Sequence, residues 1–193
     1  MLNLILIPPN QTFSELYEWS ITKRSQFWEL LLQTSDFIYS GTYKKVVNES
    51  ARIDSIPKFF EGLHINFAEN LLYSRVPGKS TTTRGKIGKE DSKVAFTEVR
   101  EGATEIRNVT WGQLRKEVGQ LASAMKTHGV KKGDRIMVVA SNSVDTAKVW
   151  LAIATLGGMF SSSSTDMGVK GVLQSAVQVT PKVCIDHVDF LCK

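Results

Sequence analysis

Apolar positions change their spacing along the chain, and the change predicts its layout. Thr12-Phe13-Ser14-Glu15 is a capping-box pattern and predicts the start of a first helix. Residues 22–34 predict a second, with Phe27, Trp28, Leu30, Leu31 and Leu32 forming a broad apolar stripe. Asn66 is placed to cap a short third helix whose first turn holds Glu69. From Lys93 the period becomes two. Val94, Phe96 and Glu98 alternate with Ala95, Thr97 and Val99, and residues 101–103 suit a turn back into a partner strand over 105–109. Thr110-Trp111-Gly112-Gln113 is a second capping box, opening a helix with Leu114, Val118, Leu121, Ala122 and Met125 at steps of three and four. Gly129 suits its left-handed stop.

Residues 136–140 are an unbroken apolar run, as in a strand covered on both faces. A helix capped by Asn142 or Ser143 follows to about Leu156, with apolar residues around most of its circumference. A strand is predicted from Met159, then a serine-rich loop. Next comes a helix capped by Thr165 or Asp166 and broken by Pro181, then a strand over 183–185. Strand, helix, strand, helix, strand in that order builds a parallel sheet through right-handed crossovers. The expected class is α/β: an N-terminal helical segment, then the start of an incomplete doubly wound parallel sheet. The corresponding divisions are a leader over 1–11, a helical region over 12–73, a flexible basic linker over 74–92 and the start of a large domain over 93–193.

Composition removes alternatives more than it adds any. The 193 residues are 42% hydrophobic and 9% aromatic, too apolar for wholesale disorder. Two cysteines cannot make a disulfide scaffold, and no stretch reaches the ~18 apolar residues of a membrane span. Residues 1–7 are apolar except for Asn3 but lack the basic region and cleavage site of a secretory signal, so a cytoplasmic location is expected. Most of the net charge of +5 sits in one window: Arg75, Lys79, Arg84, Lys86, Lys89 and Lys93 against Glu90 and Asp91. That window has no aromatic platform for a base, so a solvated basic stretch is expected and no nucleic-acid partner.

Motifs for chemistry are few. His64, His128 and His187, with Cys184 and Cys192, show no metal-ligand spacing, so no metal site is expected. Gly78-Lys79-Ser80 resembles the end of a phosphate loop, but Tyr73 stands where its first glycine belongs. There is no G-x-G-x-x-G and no G-x-S-x-G. The serines over 161–164 lie between a strand and a helix, the edge at which open α/β sheets bind ligands. They serve equally as a polar loop.

At three places the residues resemble a known family. Phe60-x-Gly62-x-x-Ile65-Asn66-Phe67-Ala68-Glu69-Asn70-Leu71-Leu72 is similar to the W-F-x-G-x-x-L-N-[YF]-A-E-N-L-L signature of the N-terminal region of acetyl-CoA synthetases. Lys131-Lys132-Gly133-Asp134-Arg135 followed by Asn142 resembles the G-D-R-V…N stretch that opens the large domain of adenylate-forming enzymes. Ser162-x-Ser164-Thr165-Asp166-Met167-Gly168-Val169-x-Gly171-Val172-Leu173 is similar to S-x-S-P-D-F-G-V-x-G-V-L of the acetoacetyl-CoA synthetases, with Thr165 in place of the proline and Met167 in place of the phenylalanine. Residues 1–11 match nothing in the family pattern.

The resemblance implies the adenylate-forming fold and an ATP-dependent acid–CoA ligase. Such an enzyme uses ATP, Mg²⁺ and CoA, and acts on acetoacetate or another short acid through an acyl-adenylate. In the family the phosphate-binding loop, the ribose-binding aspartate and the adenylation lysine come later than the positions matched here. The resemblance therefore implies an N-terminal portion, inactive by itself, with no catalytic residue of its own. It also implies that Ser164, Thr165 and Asp166 lie near CoA. Two further readings stay open: a non-enzymatic module that associates with a complete or complementary ligase, and a ligase for another acid.

Overall fold

In the computed structural model the structure describes residues 12–186. The N-terminal region holds helices α1 (Phe13–Thr22) and α2 (Arg24–Thr34), which meet at Lys23. The predicted capping box is formed: Thr12 accepts from the Glu15 N–H and the Glu15 carboxylate accepts from the Thr12 N–H. Trp19, Phe27, Trp28 and Phe59 stack edge to face in series, at 5.4–5.6 Å between ring centres. The stripe buries less than its composition suggests, since only Leu32 of α2 is fully buried.

Two short strands, β1 (Ser40–Gly41) and β2 (Leu63–His64), pair antiparallel. Helix α3 (Phe67–Leu72) follows, with Asn66 as its cap accepting from the Glu69 N–H at 3.0 Å. Its buried face, Ala68 and Leu72, joins the main core and so ties the helical region to the α/β unit.

Residues 74–92, expected as a flexible linker, include a short hairpin. Strands β3 (Ser74–Arg75) and β4 (Arg84–Gly85) pair antiparallel, and the Val76 N–H donates to the Thr83 carbonyl. The cause is cationic. The Lys89 ammonium donates to the Asn70 and Tyr73 carbonyls at 2.9 and 2.7 Å and lies over the Trp111 ring. The Arg115 guanidinium, almost fully buried, donates to the Leu72 and Lys89 carbonyls and to Asp91, each at 2.8 Å. The basic residues of this stretch are thus partly structural. Gly78, Lys79 and Ser80 belong to the loop of this hairpin, where Ser80 and Thr82 bond each other at 3.0 Å.

The next hairpin is as predicted: β5 (Val94–Val99) pairs antiparallel with β6 (Ile106–Thr110) around the turn at residues 101–103. Thr110 and Gln113 form the second capping box, which opens α4 (Trp111–Thr127). Then β7 (Arg135–Val139), α5 (Val144–Thr155), β8 (Met159–Ser163), α6 (Gly168–Val179) and β9 (Val183–Asp186) alternate. β7 is central, with β8 and β9 parallel on either side, Ile136 opposite both Phe160 and Val183. The crossover through α5 runs from β7 to β8, and the one through α6 runs back from β8 past β7 to β9; right-handed connections in these opposite directions place α5 and α6 on opposite faces. This is the doubly wound pattern.

The core lies between α3, β6, α4 and α5, with Leu114, Val118 and Ala152 at its centre, and continues into Ile136, Val138 and Ile153 of the sheet. Each buried Leu, Val or Ile here contributes roughly 1.5–3 kcal/mol. Two details differ from expectation. β8 runs through Ser163, so the serine loop begins only at Ser164. Neither Thr165 nor Asp166 caps α6; Met167 stands at the cap without a side-chain hydrogen bond, because Asp166 instead accepts from the Ser164 hydroxyl.

Candidate functional site

A cavity of about 680 Å³ opens at the carboxyl edge of β7 and β8. This is the edge at which open α/β sheets bind ligands, because strands end there and helix N-termini begin. Its base is aromatic: Trp150 on α5 and Phe160 on β8, ring centres 6.5 Å apart, with Phe96 of β5 also in the wall. Its rim is hydroxylic. Ser141, Asn142 and Ser143 follow β7, Ser162 and Ser163 end β8, and Ser164 comes directly after it.

The loop after β7 is held by its own bonds. Ser143 caps α5 by accepting from the Thr146 N–H at 3.2 Å, and the Thr146 hydroxyl donates to the Ser141 carbonyl at 2.7 Å. The opposite wall is β5. There the Glu98 carboxylate reaches the first turn of α5 and accepts from the Val144 N–H at 3.2 Å. Arg107 on β6 stands 3.7 Å from Glu98 and 3.2 Å from Asp145. Asp145 also pairs with Lys148 at 2.7 Å, and Lys148 with Glu117 at 2.5 Å. Lys148 is nearly fully buried in α5 although it is not one of that helix's apolar positions. Hydrogen bonds from Lys148 and Arg107 hold the Asp145 carboxyl below its usual range, and Asp145 in turn raises the Arg107 guanidinium.

Of the three residues that the resemblance places near CoA, the structure brings one to the cavity. Ser164 lines it, directly after β8. Thr165 and Asp166 lie in the exposed turn beyond and are not part of the wall. Asp166 still touches the site through its bond from the Ser164 hydroxyl. Sequence reasoning missed Glu98, Trp150 and Phe160. The signal for Glu98 was an acid two residues after Phe96, on the same strand face, where a carboxylate needs a buried partner.

Among the described residues, no three His, Cys, Asp or Glu side chains converge to hold a metal ion, and no helix is long and apolar enough to cross a membrane. His187 and Cys192 lie outside the described residues.

The chain has counterparts among known proteins. The acetoacetyl-CoA synthetase of Xenopus tropicalis is 36% identical over 173 residues, 90% of this chain and 24% of its own length. That of Mus musculus is 38% identical over 171 residues, 89% of this chain and 23% of its own. The solved acetoacetyl-CoA synthetase from Streptomyces lividans superposes with a TM-score of 0.78 at 27% identity, covering 93% of this chain and 25% of that one. The chain thus spans about a quarter of the length of the relatives it matches. Residues 86–191, more than half of the chain, match the AMP-binding enzyme family, and the chain belongs to that family.

Proposed function

We propose that these residues are the N-terminal part of an ATP-dependent acid–CoA ligase, most like an acetoacetyl-CoA synthetase. The complete reaction would convert acetoacetate, ATP and CoA to acetoacetyl-CoA, AMP and pyrophosphate. The acid would first be adenylated, with release of pyrophosphate, and the CoA thiol would then displace AMP. This part would supply the wall of the CoA cleft through Ser164, with Thr165 and Asp166 beside it. The observation that carries the reading is the position of Ser164 at the carboxyl edge of the parallel sheet, opening onto a hydroxyl-rich cavity. The sequence holds no glycine-rich phosphate cradle of the known patterns, and no adenylation step is assigned to these residues. A cytoplasmic setting belongs to the same proposal.

Two assays test it. The 193-residue chain, given ATP, Mg²⁺, acetoacetate and CoA, is expected to form no AMP over many hours; sustained AMP formation defeats the assignment of adenylation to other residues. In a complete ligase containing this region, alanine at Ser164, Thr165 and Asp166 together is expected to raise the KM for CoA at least tenfold. An unchanged KM removes the CoA role.

A second reading is a binding module that associates with a ligase. Val169, Leu173 and Val177 favour it, because they form an exposed apolar stripe on α6 at steps of four. Lys at Leu173 is expected to abolish co-sedimentation with a complete ligase; failure to co-sediment before the change ends this reading.

A further inference from the structure

The cavity at the carboxyl edge carries one formal charge in its wall, and that charge is negative. Every lining residue other than Glu98 is apolar, hydroxylic or an amide. This is unusual for the place it occupies. The start of a 12-residue helix presents unpaired N–H groups and a positive dipole end, which ordinarily attract phosphate. Here the Glu98 carboxylate is already there, accepting from the Val144 N–H at 3.2 Å, with its side chain 16% exposed. The surroundings leave that charge unbalanced. Glu98, Asp145 and Glu117 share two cations, Arg107 and Lys148, around the first turns of α5.

Ser163 lines the cavity too; the residue is 7% exposed, its oxygen is not sealed from solvent, and no partner is recorded for it among the described residues, so it is open to a ligand. Hydroxyl and carboxylate acceptors beside aromatic rings suit a neutral group carrying O–H and N–H donors.

We propose that Glu98 is a specificity residue of this cavity. Its carboxylate takes the anion position at the N-terminus of α5, so phosphate is turned away and the cavity is left to uncharged groups bearing hydroxyls and amides. Where the CoA reading above holds, on which only this last step rests, the group is the pantetheine arm, and the phosphates of CoA stay outside.

The test follows the assigned indole N–H signal of Trp150 in the 193-residue chain during two titrations, at constant ionic strength. The first probe is inorganic phosphate. Wild type is expected to give no saturable shift. Glu98→Ala, which vacates the position, should bind phosphate at least tenfold more tightly. Glu98→Gln, which keeps the side chain but removes its charge, should fall between them, and it still decides the matter if the alanine variant fails to fold. Equal phosphate responses in wild type and variants overturn the proposal. The second probe is pantetheine, expected to shift the wild-type signal saturably. A phosphate gain on substitution with no pantetheine response sustains the role of Glu98 and removes the CoA reading instead.

Discussion

Asn66 bonds at both ends, and its far partner is Ala154, 88 residues away. The side-chain oxygen accepts from the Glu69 N–H at 3.0 Å and caps α3. The side-chain nitrogen donates to the Ala154 carbonyl at 3.1 Å and to the Thr155 carbonyl at 3.2 Å, where α5 ends. One amide thus satisfies a helix start and a helix end, and fixes α3 against α5. A loss of the cap costs about 1 kcal/mol and of the second bond about another. Asn66→Ala is expected to lower stability by about 2 kcal/mol in urea denaturation. Asn66→Asp keeps the cap but sets a carboxylate against carbonyls, so it should lose at least as much as the second bond. Equal stability of all three proteins would show that the long-range bond contributes nothing.

Arg115 is the residue on which order in 74–92 depends. It bonds two carbonyls and Asp91 from a position 7% exposed, and its guanidinium lies 5.4 Å from the Tyr73 ring centre. Arg115→Met keeps most of the volume and removes every one of those bonds. Trypsin sites at Lys79, Arg84, Lys86 and Lys89 should then be cut at least tenfold faster in native conditions, before global unfolding. Unaltered cleavage would mean that the hairpin holds itself.

The contrast between these two residues explains what the sequence revealed. Local signals carried through: both capping boxes, the Asn66 cap and the apolar run at 136–140 are written within a few residues of where they act. Long-range polar bonds were not legible. Nothing around Lys89 says that its ammonium will meet carbonyls at residues 70 and 73, and composition alone reads the stretch as solvated. Lys148 hides for the same reason, since its partner Glu117 lies on another helix. Ser164 was found from strand–loop–helix order, whereas Trp150 and Phe160 looked like ordinary core until the sheet brought them to one edge.

Gly62 and Gly119 should respond to the same change with opposite signs. Gly62 has φ +106°, and a Cβ there would lie 2.3 Å from the Thr42 carbonyl oxygen. Gly62→Ala is expected to cost more than about 2 kcal/mol, since neither the conformation nor the space admits a side chain. Gly119 is exposed within α4, with nothing within 4 Å of a built Cβ. Gly119→Ala should stabilise by about 0.5–1 kcal/mol through helix propensity. Thermal midpoints moving in the same direction would contradict this.

Acid should weaken the fold at a defined pH, and Lys148 sets part of that response. Asp145 is held low chiefly by its bond from Lys148, then by Arg107. Glu90 is lowered to about 2 from an ordinary 4.5, chiefly by Lys93, with backbone bonds from its own and the Gly88 N–H. Asp91 is lowered by Lys86 and Arg115. A carboxylate whose folded pKa lies below its unfolded one stabilises the protein above the unfolded value. That contribution is lost as pH falls through the folded value. Stability should therefore stay level near neutral pH and decline from about 4.5 toward 2. Lys148 has the opposite sign: burial pulls it down, but Asp145 and Glu117 outweigh this and hold it above 10.5, so its share is lost only in strong alkali. Lys148→Ala should cost about 1–3 kcal/mol at pH 7, because its partners are exposed enough to hydrate once it is gone. Lys148→Met keeps the buried stem and should lose less. In both variants Asp145 reverts toward its ordinary pKa, so the fall in stability between pH 4.5 and 2 becomes shallower than in wild type. Parallel pH profiles for variant and wild type would exclude the Lys148–Asp145 bond as a source of acid sensitivity.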